Sequence, residues 1–426
     1  MSASCDSELI GGGLVGVGTG VVPGWCATMP GESHTYLTVG FHPVLHTVQD
    51  VAALTLLLAA LVESEPARRA RAEGVKVFTR RQGDWAFLEL AAPRDQHATL
   101  WALADRLTSI APTPDTIEAS RRLLVGQAAA AHADRGTVAD HQRWVTLFGA
   151  PPAASVVPSP EDVTHLDAGS PARMLRHLAA EVPAAFVVVG DVVPEQAQEY
   201  AEVVHAFRGP RATSAGPAGA GEAPSGPGGV WLRSDPGSGG TSVRLVAPFG
   251  PVAPQDFYPL TALAVGLGGT HFSPLRVRLR DELGLSYLPS SGVERAAGQA
   301  FLCLEADSTQ PDLRLLTAAT ELLVEHLEMA SWKEHWHDGV QEVLGVYESA
   351  WSTARGRGAF VINAHTLGVQ PQDIIHVPRW THQGDAPVLR PDVLRAASDG
   401  IAGVVVGDVD TAAARRALHA LGLSTR

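Results

Sequence analysis

Only two of the 32 basic residues are lysines, Lys76 and Lys333, and only three of 426 residues are cysteines. Cys5, Cys26 and Cys303 are too few and too scattered for a disulfide framework or a zinc knuckle, so reduced thiols and a cytoplasmic location are expected. Long apolar runs are also missing: the longest, Val51 to Val62, has 12 residues, short of the roughly 18 needed to cross a bilayer. The first residues, MSASCDSE, are acidic where a signal peptide needs positive charge, so no targeting segment is expected. Basic residues are outnumbered 32 to 45, and a net charge of −13 argues against nucleic acid or an anionic membrane as partner, since either wants a basic face. No G-x-S-x-G elbow, Cys-His pair or carboxylate dyad stands out. The glycines between Leu9 and Val22 lack the Lys-Ser/Thr ending of a phosphate loop and read as a strand with turns.

What is present is enough apolar material, 45%, to fill two cores of about 200 residues each. Tyr36 to Phe41 alternates as a strand does. Gln49 to Ser64 is apolar all round, which predicts a buried helix. Glu73 to Leu90 reads as two strands turning at Gln82, Gly83 and Asp84, and Gln96 to Ile110 as an amphipathic helix. Helices follow from Pro114 to His132 and from Asp140 to Phe148, then SPEDVTHL (Ser159 to Leu166) leads to a strand and helix in FVVVGDVVPEQAQEYAEVV. Residues 209–229, GPRATSAGPAGAGEAPSGPGG, read as a flexible linker.

The chain then repeats itself. VVVGDV occurs at Val187 to Val192 and at Val404 to Val409, an offset of 217 (404 − 187). Asp50, Leu54 and Thr55 are echoed by Asp256, Leu260 and Thr261 at an offset of 206, and Asp95 by Asp312 at 217. Similar offsets in three elements point to two copies of one domain, expected at 1–208 and 230–426 around the linker.

Within the second copy, Gly266 to Gly292 reads GLGGTHFSPLRVRLRDELGLSYLPSSG. Ser273 and Pro274 make a helix start, the serine oxygen capping free N–H groups. Phe272, Leu275, Leu279 and Leu283 recur at helical spacing as one apolar face. Gly284 is placed to end the helix in a left-handed conformation, and Leu285 to Leu288 alternates as a strand would. Arg280 and Tyr287 then flank a tight turn.

At these residues the sequence resembles the pitrilysin and mitochondrial processing peptidase superfamily of zinc peptidases. In that family an Arg, and a Tyr seven residues later, reach substrate held at zinc in another domain; here 287 − 280 is 7. Gly266, Gly268 and Gly269 resemble the glycine-rich loop that lies by the substrate channel in the family's non-catalytic subunit, with a plain turn as the other reading. The SPEDV and VVVGD segments resemble the family as well, so the likeness spans nearly the whole chain. The resemblance implies an α+β fold of two homologous domains, each an antiparallel sheet with helices packed on one face.

The family's metal motif is what departs. Its first helix carries H-x-x-E-H, two ligands and a general base. The same place here reads Leu54, Thr55, Leu56, Leu57, Leu58, Ala59, and the later Glu ligand should fall near Gln127 or Ala128. The resemblance therefore implies a non-metal subunit, with no cofactor in this chain and zinc in an H-x-x-E-H-bearing partner. Arg280 and Tyr287 would be the catalytic contribution to cleavage of a peptide, such as a leader or precursor peptide. A structural scaffold and a stand-alone peptide-binding protein of the same fold are the rival readings. His42 with His46, and His335, His337, His326 and Glu325, read as loop, surface or packing residues, and Trp332 and Trp336 as a packed pair on one helix face.

Overall fold

The computed structural model describes residues 14–17, 22–43, 45–82, 85–109, 111–149, 155–180, 184–207, 229–328 and 331–425. The expected linker lies outside them except for Gly229, as do Cys5, Gly83 and Asp84. Described strands form two sheets. The first contains β1 (Leu14–Gly16), β2 (Gly24–Thr28), β3 (His34–Phe41), β4 (Lys76–Gln82), β5 (Trp85–Pro93) and β6 (Ala184–Gly190), in the order β1-β2-β6-β3-β5-β4. The second contains β7 (Gly229–Ser234), β8 (Thr241–Gly250), β9 (Ser290–Ala296), β10 (Gln299–Ser308) and β11 (Ala402–Gly407), in the order β7-β11-β8-β10-β9. Leaving β1 aside, the two orders correspond strand for strand. Even the one parallel pair recurs, β2 with β6 and β7 with β11, while the other pairs run antiparallel.

The duplicated VVVGDV has a physical reason in both copies. Gly190 and Gly407 end β6 and β11 at φ +158 and +147, and a Cβ there would lie 2.9 Å from the His34 carbonyl oxygen or 2.1 Å from that of Gly240. Only glycine fits such a close approach. The glycine carbonyls accept from the N–H of Met29 and of Asp235, each at 2.7 Å. The aspartates that follow accept from the N–H of Gly31 (3.2 Å to Asp191) and of Gly237 (3.4 Å to Asp408). The Gly190-Asp191 pair clamps the turn that joins β2 to β3, and the Gly407-Asp408 pair the turn that joins β7 to β8.

By packing, the chain forms two units: Met1–Ala129, Val157–Pro217 and Tyr347–Ile375 in one, and Ala130–Val156, Ala218–Val346 and His376–Arg426 in the other. In the first, the helix Val48–Glu63 buries Leu54, Leu56, Leu57 and Leu58 in a core with Leu37, Val39, Leu88, Leu90, Phe186 and Val188. A Thr47/Asp50 capping box starts that helix. The opposite face of the sheet receives the helix Ala354–Thr366, whose Gly358 lies against Val187 and Val189. There His365 rests on Trp25, ring centroids 4.9 Å apart, and burial pushes its pKa down to about 4.

The second unit repeats this arrangement. Val243, Leu245, Leu302, Leu304 and Val405 share a core with the helices Pro254–Gly268, Leu313–Leu327 and Pro391–Asp399. On the other face the helix Arg135–Phe148 sets Ala139 against Val404 and Val406, and Trp144 edge-on to Phe301 at 5.4 Å. Two buried arginines fix this helix. Arg143 meets Glu294 at 2.6 Å and Glu305 at 3.3 Å, and Arg244 meets Asp140 at 2.8 Å and Asp307 at 3.0 Å. The α+β fold of two related sheet-and-helix domains is thus borne out, with one parallel pair per sheet and one added helix on each sheet's second face.

Candidate functional site

The helix Pro254–Gly268 is set by Pro254 in its first turn and packs nearly all round, burying Leu260, Leu263, Ala264 and Leu267. Gly266 and Gly268 form its last turn and Gly269 its C-cap, so the expected glycine-rich loop is helix here. The reason is close approach. A Cβ on Gly266 would come within 2.8 Å of the His335 carbonyl oxygen, and one on Gly268 within 2.6 Å of Ser291 Oγ. Ser291, in β9, donates in turn to the Ala264 carbonyl oxygen at 2.6 Å. Positions 268 and 291 are therefore the two legs of a stem, and residues 269–290 are an excursion closed at its base.

Inside the excursion Pro274–Arg276 begins a helix that widens at once into a π-helix, Val277–Glu282. Leu275 and Leu279 are fully buried and Leu283 packs against the same core, as their spacing predicts. Three expectations fail. Ser273 has the backbone of an N-cap, but its hydroxyl donates to the Thr270 carbonyl at 2.8 Å instead of accepting from the helix. Phe272 stands in solvent rather than joining the apolar face. Leu285 to Leu288 is not a strand, because the N–H groups of Leu285 and Ser286 turn back to the Leu279 carbonyl, at 2.7 and 3.2 Å, and β9 starts at Ser290. Gly284, at φ +63, makes that reversal as expected.

Arg280 lies in the π-helical turn, its side chain 29% exposed, with Nε 2.8 Å from Asp281 Oδ1. The hydrogen bond with Asp281 holds the guanidinium pKa above its ordinary value, with a further contribution from nearby Tyr287; the same bond holds Asp281 below the usual carboxylate range. Tyr287 follows the reversal and is exposed. The excursion so presents a fixed cation and a phenol on a protruding, internally packed platform. Its outward apolar side chains, Phe272 and Leu288, escaped sequence reasoning. Pattern alone could not reveal them, since Phe272 precedes the cap at Ser273 and Leu288 follows the reversal at Gly284, so neither belongs to the helix whose spacing is read.

A match over residues 176–331 accompanies this geometry. The model matched there is that of the peptidase M16 inactive domain. The resemblance to the pitrilysin and processing peptidase superfamily is therefore borne out, and the matched stretch contains Gly266, Gly268, Gly269, Arg280 and Tyr287. Solved structures agree in fold. A peptidase M16 inactive domain from Pseudomonas fluorescens aligns over 92% of this chain and 97% of its own, with TM-score 0.74 and 15% identity. A protease from Helicobacter pylori covers 92% and 99%, with TM-score 0.75 and 12% identity. A chain of Complex III2 from Candida albicans covers 93% and 97%, with TM-score 0.67 and 13% identity. No curated protein matches the chain in sequence.

The helix on which this superfamily places its zinc motif offers no ligands here. Leu54, Leu57 and Leu58 are core residues, and the Thr55 hydroxyl donates to the Val51 carbonyl at 2.7 Å. Gln127 points to solvent and Ala128 is buried. Zinc takes thiolate, imidazole or carboxylate, so this donor set does not fit it, and no step on a metal is assigned to this chain. Among the described residues no group of three His, Cys, Asp or Glu side chains could hold a metal ion, and no helix is long and apolar enough to cross a membrane. His326 is a packing residue, buried, with Nε2 on the Leu263 carbonyl at 2.8 Å. Trp332 and Trp336 pack edge to face at 5.5 Å, and His42 stacks on Trp85.

Proposed function

We propose that this chain is the non-metal subunit of a heterodimeric zinc peptidase, inactive alone, which lends Arg280 and Tyr287 to peptide cleavage at its partner's metal. The observation that carries the reading is the contrast between the two halves. Leucines fill the position of the metal motif, while a protruding platform keeps an Arg and an exposed Tyr at the family spacing. The partner is an H-x-x-E-H-bearing chain, its zinc supplies the activated water, and the pair works in the cytoplasm on a leader or precursor peptide.

Tyr287 would donate its phenolic hydrogen to the carbonyl oxygen as negative charge grows there, which is where a fixed donor helps most. Arg280, held by Asp281, would exchange part of that pairing for the substrate backbone or steady the phenol. Gly269, the half-buried cap residue, would be the member of the glycine segment open to a substrate, and the buried Gly266 and Gly268 would act by holding the helix end against its neighbours. The test is co-expression with the H-x-x-E-H-bearing chain of the same genome, assaying each chain and the mixture on peptides. Cleavage by the mixture alone, abolished by a chelator and reduced on the order of a hundredfold by Tyr287→Phe, is the expected result. Unchanged turnover in that variant would remove Tyr287 from the mechanism.

A scaffold role is the second reading, favoured by the likeness to a Complex III2 chain. It predicts a stable assembly whose formation is indifferent to Tyr287 and in which no cleavage occurs. A stand-alone peptide-binding protein predicts peptide binding with no partner present.

A further inference from the structure

Phe272, Tyr287 and Leu288 are the three most exposed large apolar side chains among the described residues, at 83%, 79% and 66%. All three sit on the single excursion between Gly268 and Ser291. Phe272 lies four residues out from the stem on one leg and Leu288 three residues out on the other, with the legs joined where Ser291 meets Ala264. The interior of the excursion is already filled by Leu275, Leu279 and Leu285. Phe272 and Leu288 thus have no inward role, and the π-helical turn and the Gly284 reversal hold the platform that carries them. Side chains exposed to this degree stand out from the surface and do not line a hollow. Ligand sites are concave with aromatic walls partly covered, whereas projecting aromatic and aliphatic anchors beside arginines are the pattern of protein interfaces.

Charge narrows the occupant. Arg276, Arg278 and Arg280 set three guanidiniums against the two carboxylates of Asp281 and Glu282, a local excess of positive charge on a chain whose net charge is −13. A second copy brings the same −13 and is repelled at long range. A partner with an apolar socket edged by carboxylates fits both the anchors and the arginines.

We infer that Phe272 and Leu288 are docking anchors that seat in an apolar, acid-rimmed socket of the metal-bearing partner subunit and so deliver Arg280 and Tyr287 to its site. The inference rests on the heterodimer reading but separates from the catalytic one, because docking and charge stabilisation use different side chains. The decisive experiment titrates the full-length chain against the zinc-loaded H-x-x-E-H-bearing chain of the same genome by calorimetry. Phe272→Ala with Leu288→Ala should weaken binding at least about thirtyfold and leave the thermal melt of the chain alone unchanged. Tyr287→Phe should keep the affinity within about threefold and lose turnover.

Four outcomes overturn the docking assignment. These are no binding by the wild-type chain, wild-type affinity in the double variant, an effect of that variant confined to the KM for peptide, and self-association of the chain alone that the double variant abolishes. Lost affinity in the double variant together with normal turnover in Tyr287→Phe would uphold docking while the catalytic reading fails.

Discussion

The Ser291 hydroxyl donates to the carbonyl oxygen of Ala264 at 2.6 Å, and Gly268, one helical turn further on, leaves the space that this serine occupies. This contact closes the base of the excursion that holds Arg280 and Tyr287. Ser291→Ala should cost about 1 kcal/mol, the net worth of one hydrogen bond. Gly268→Ala should cost more, about 1–3 kcal/mol, because its Cβ would meet both Ser291 Oγ and the Ser291 backbone nitrogen, at 2.6 and 2.8 Å. Chemical denaturation of both variants checks the order, and hydrogen exchange should show the loosening concentrated in residues 269–290.

A second close approach lies between the helices Pro254–Gly268 and Ser331–Ser352. A Cβ on Gly339 would lie 2.0 Å from the Ala262 carbonyl oxygen and 2.9 Å from the Gly266 nitrogen. Backbone cannot yield as a side chain can, so Gly339→Ala should be among the most destabilising single changes in the chain, above about 3 kcal/mol. An equal melting temperature for this variant would show that the helices are not in contact there.

Arg143 is the cation between Glu294 and Glu305, its own side chain 4% exposed. Burial is the largest single influence on its pKa and lowers it, but Cys303 and the carboxylates of Glu294, Asp140 and Glu305 together outweigh burial and hold the pKa above its ordinary value. Arg143→Met would leave two carboxylates facing each other and should cost about 2–4 kcal/mol. Adding Glu294→Gln should recover part of that loss. Additive losses in the double variant, measured by urea unfolding, would mean the two residues do not interact.

Acid should weaken the fold through its buried histidines. Burial pushes His326 down to about 4, although its bond to the Leu263 carbonyl opposes the shift; a smaller contribution in the same direction as burial comes from His335. His365 is likewise lowered to about 4. The unfolded chain takes protons at these rings near pH 6.5 and the folded chain refuses them, so their contribution is intact above pH 6.5 and is withdrawn as pH falls towards 4. The loss at His326 is up to about 3 kcal/mol. His326→Gln keeps a donor for the Leu263 carbonyl and cannot titrate, so its stability should depend less on pH across that window. An unchanged slope would refute the assignment.

Much of this was legible in the sequence because the same physics operates twice. VVVGDV repeats since each copy needs a glycine at a crowded strand end and an aspartate to hold a turn. The all-apolar helix Val48–Glu63 could only be buried. Three things were not legible. Glycine-rich composition does not distinguish a loop from a helix end that needs close neighbours, as at Gly266 and Gly268. Phe272 was misplaced because it precedes the cap at Ser273, where helical spacing no longer applies, and Leu285 to Leu288 because four alternating residues are too few to outweigh a glycine reversal. Finally, an amphipathic pattern reports that a helix such as Arg135–Phe148 has an apolar face but not which sheet that face will meet.

The placement of Arg135–Phe148 and Ala354–Thr366 has a consequence for synthesis. The sheet built from residues 14–190 receives one of its covering helices only at residues 354–366, after the second sheet's β7 to β10 have been made. A chain emerging from the ribosome therefore cannot finish its first unit before starting its second. Its nascent first sheet keeps Val187 and Val189 waiting for Gly358 through more than 150 further residues, a long-range closure of the kind that slows folding and leaves apolar surface open to chaperones.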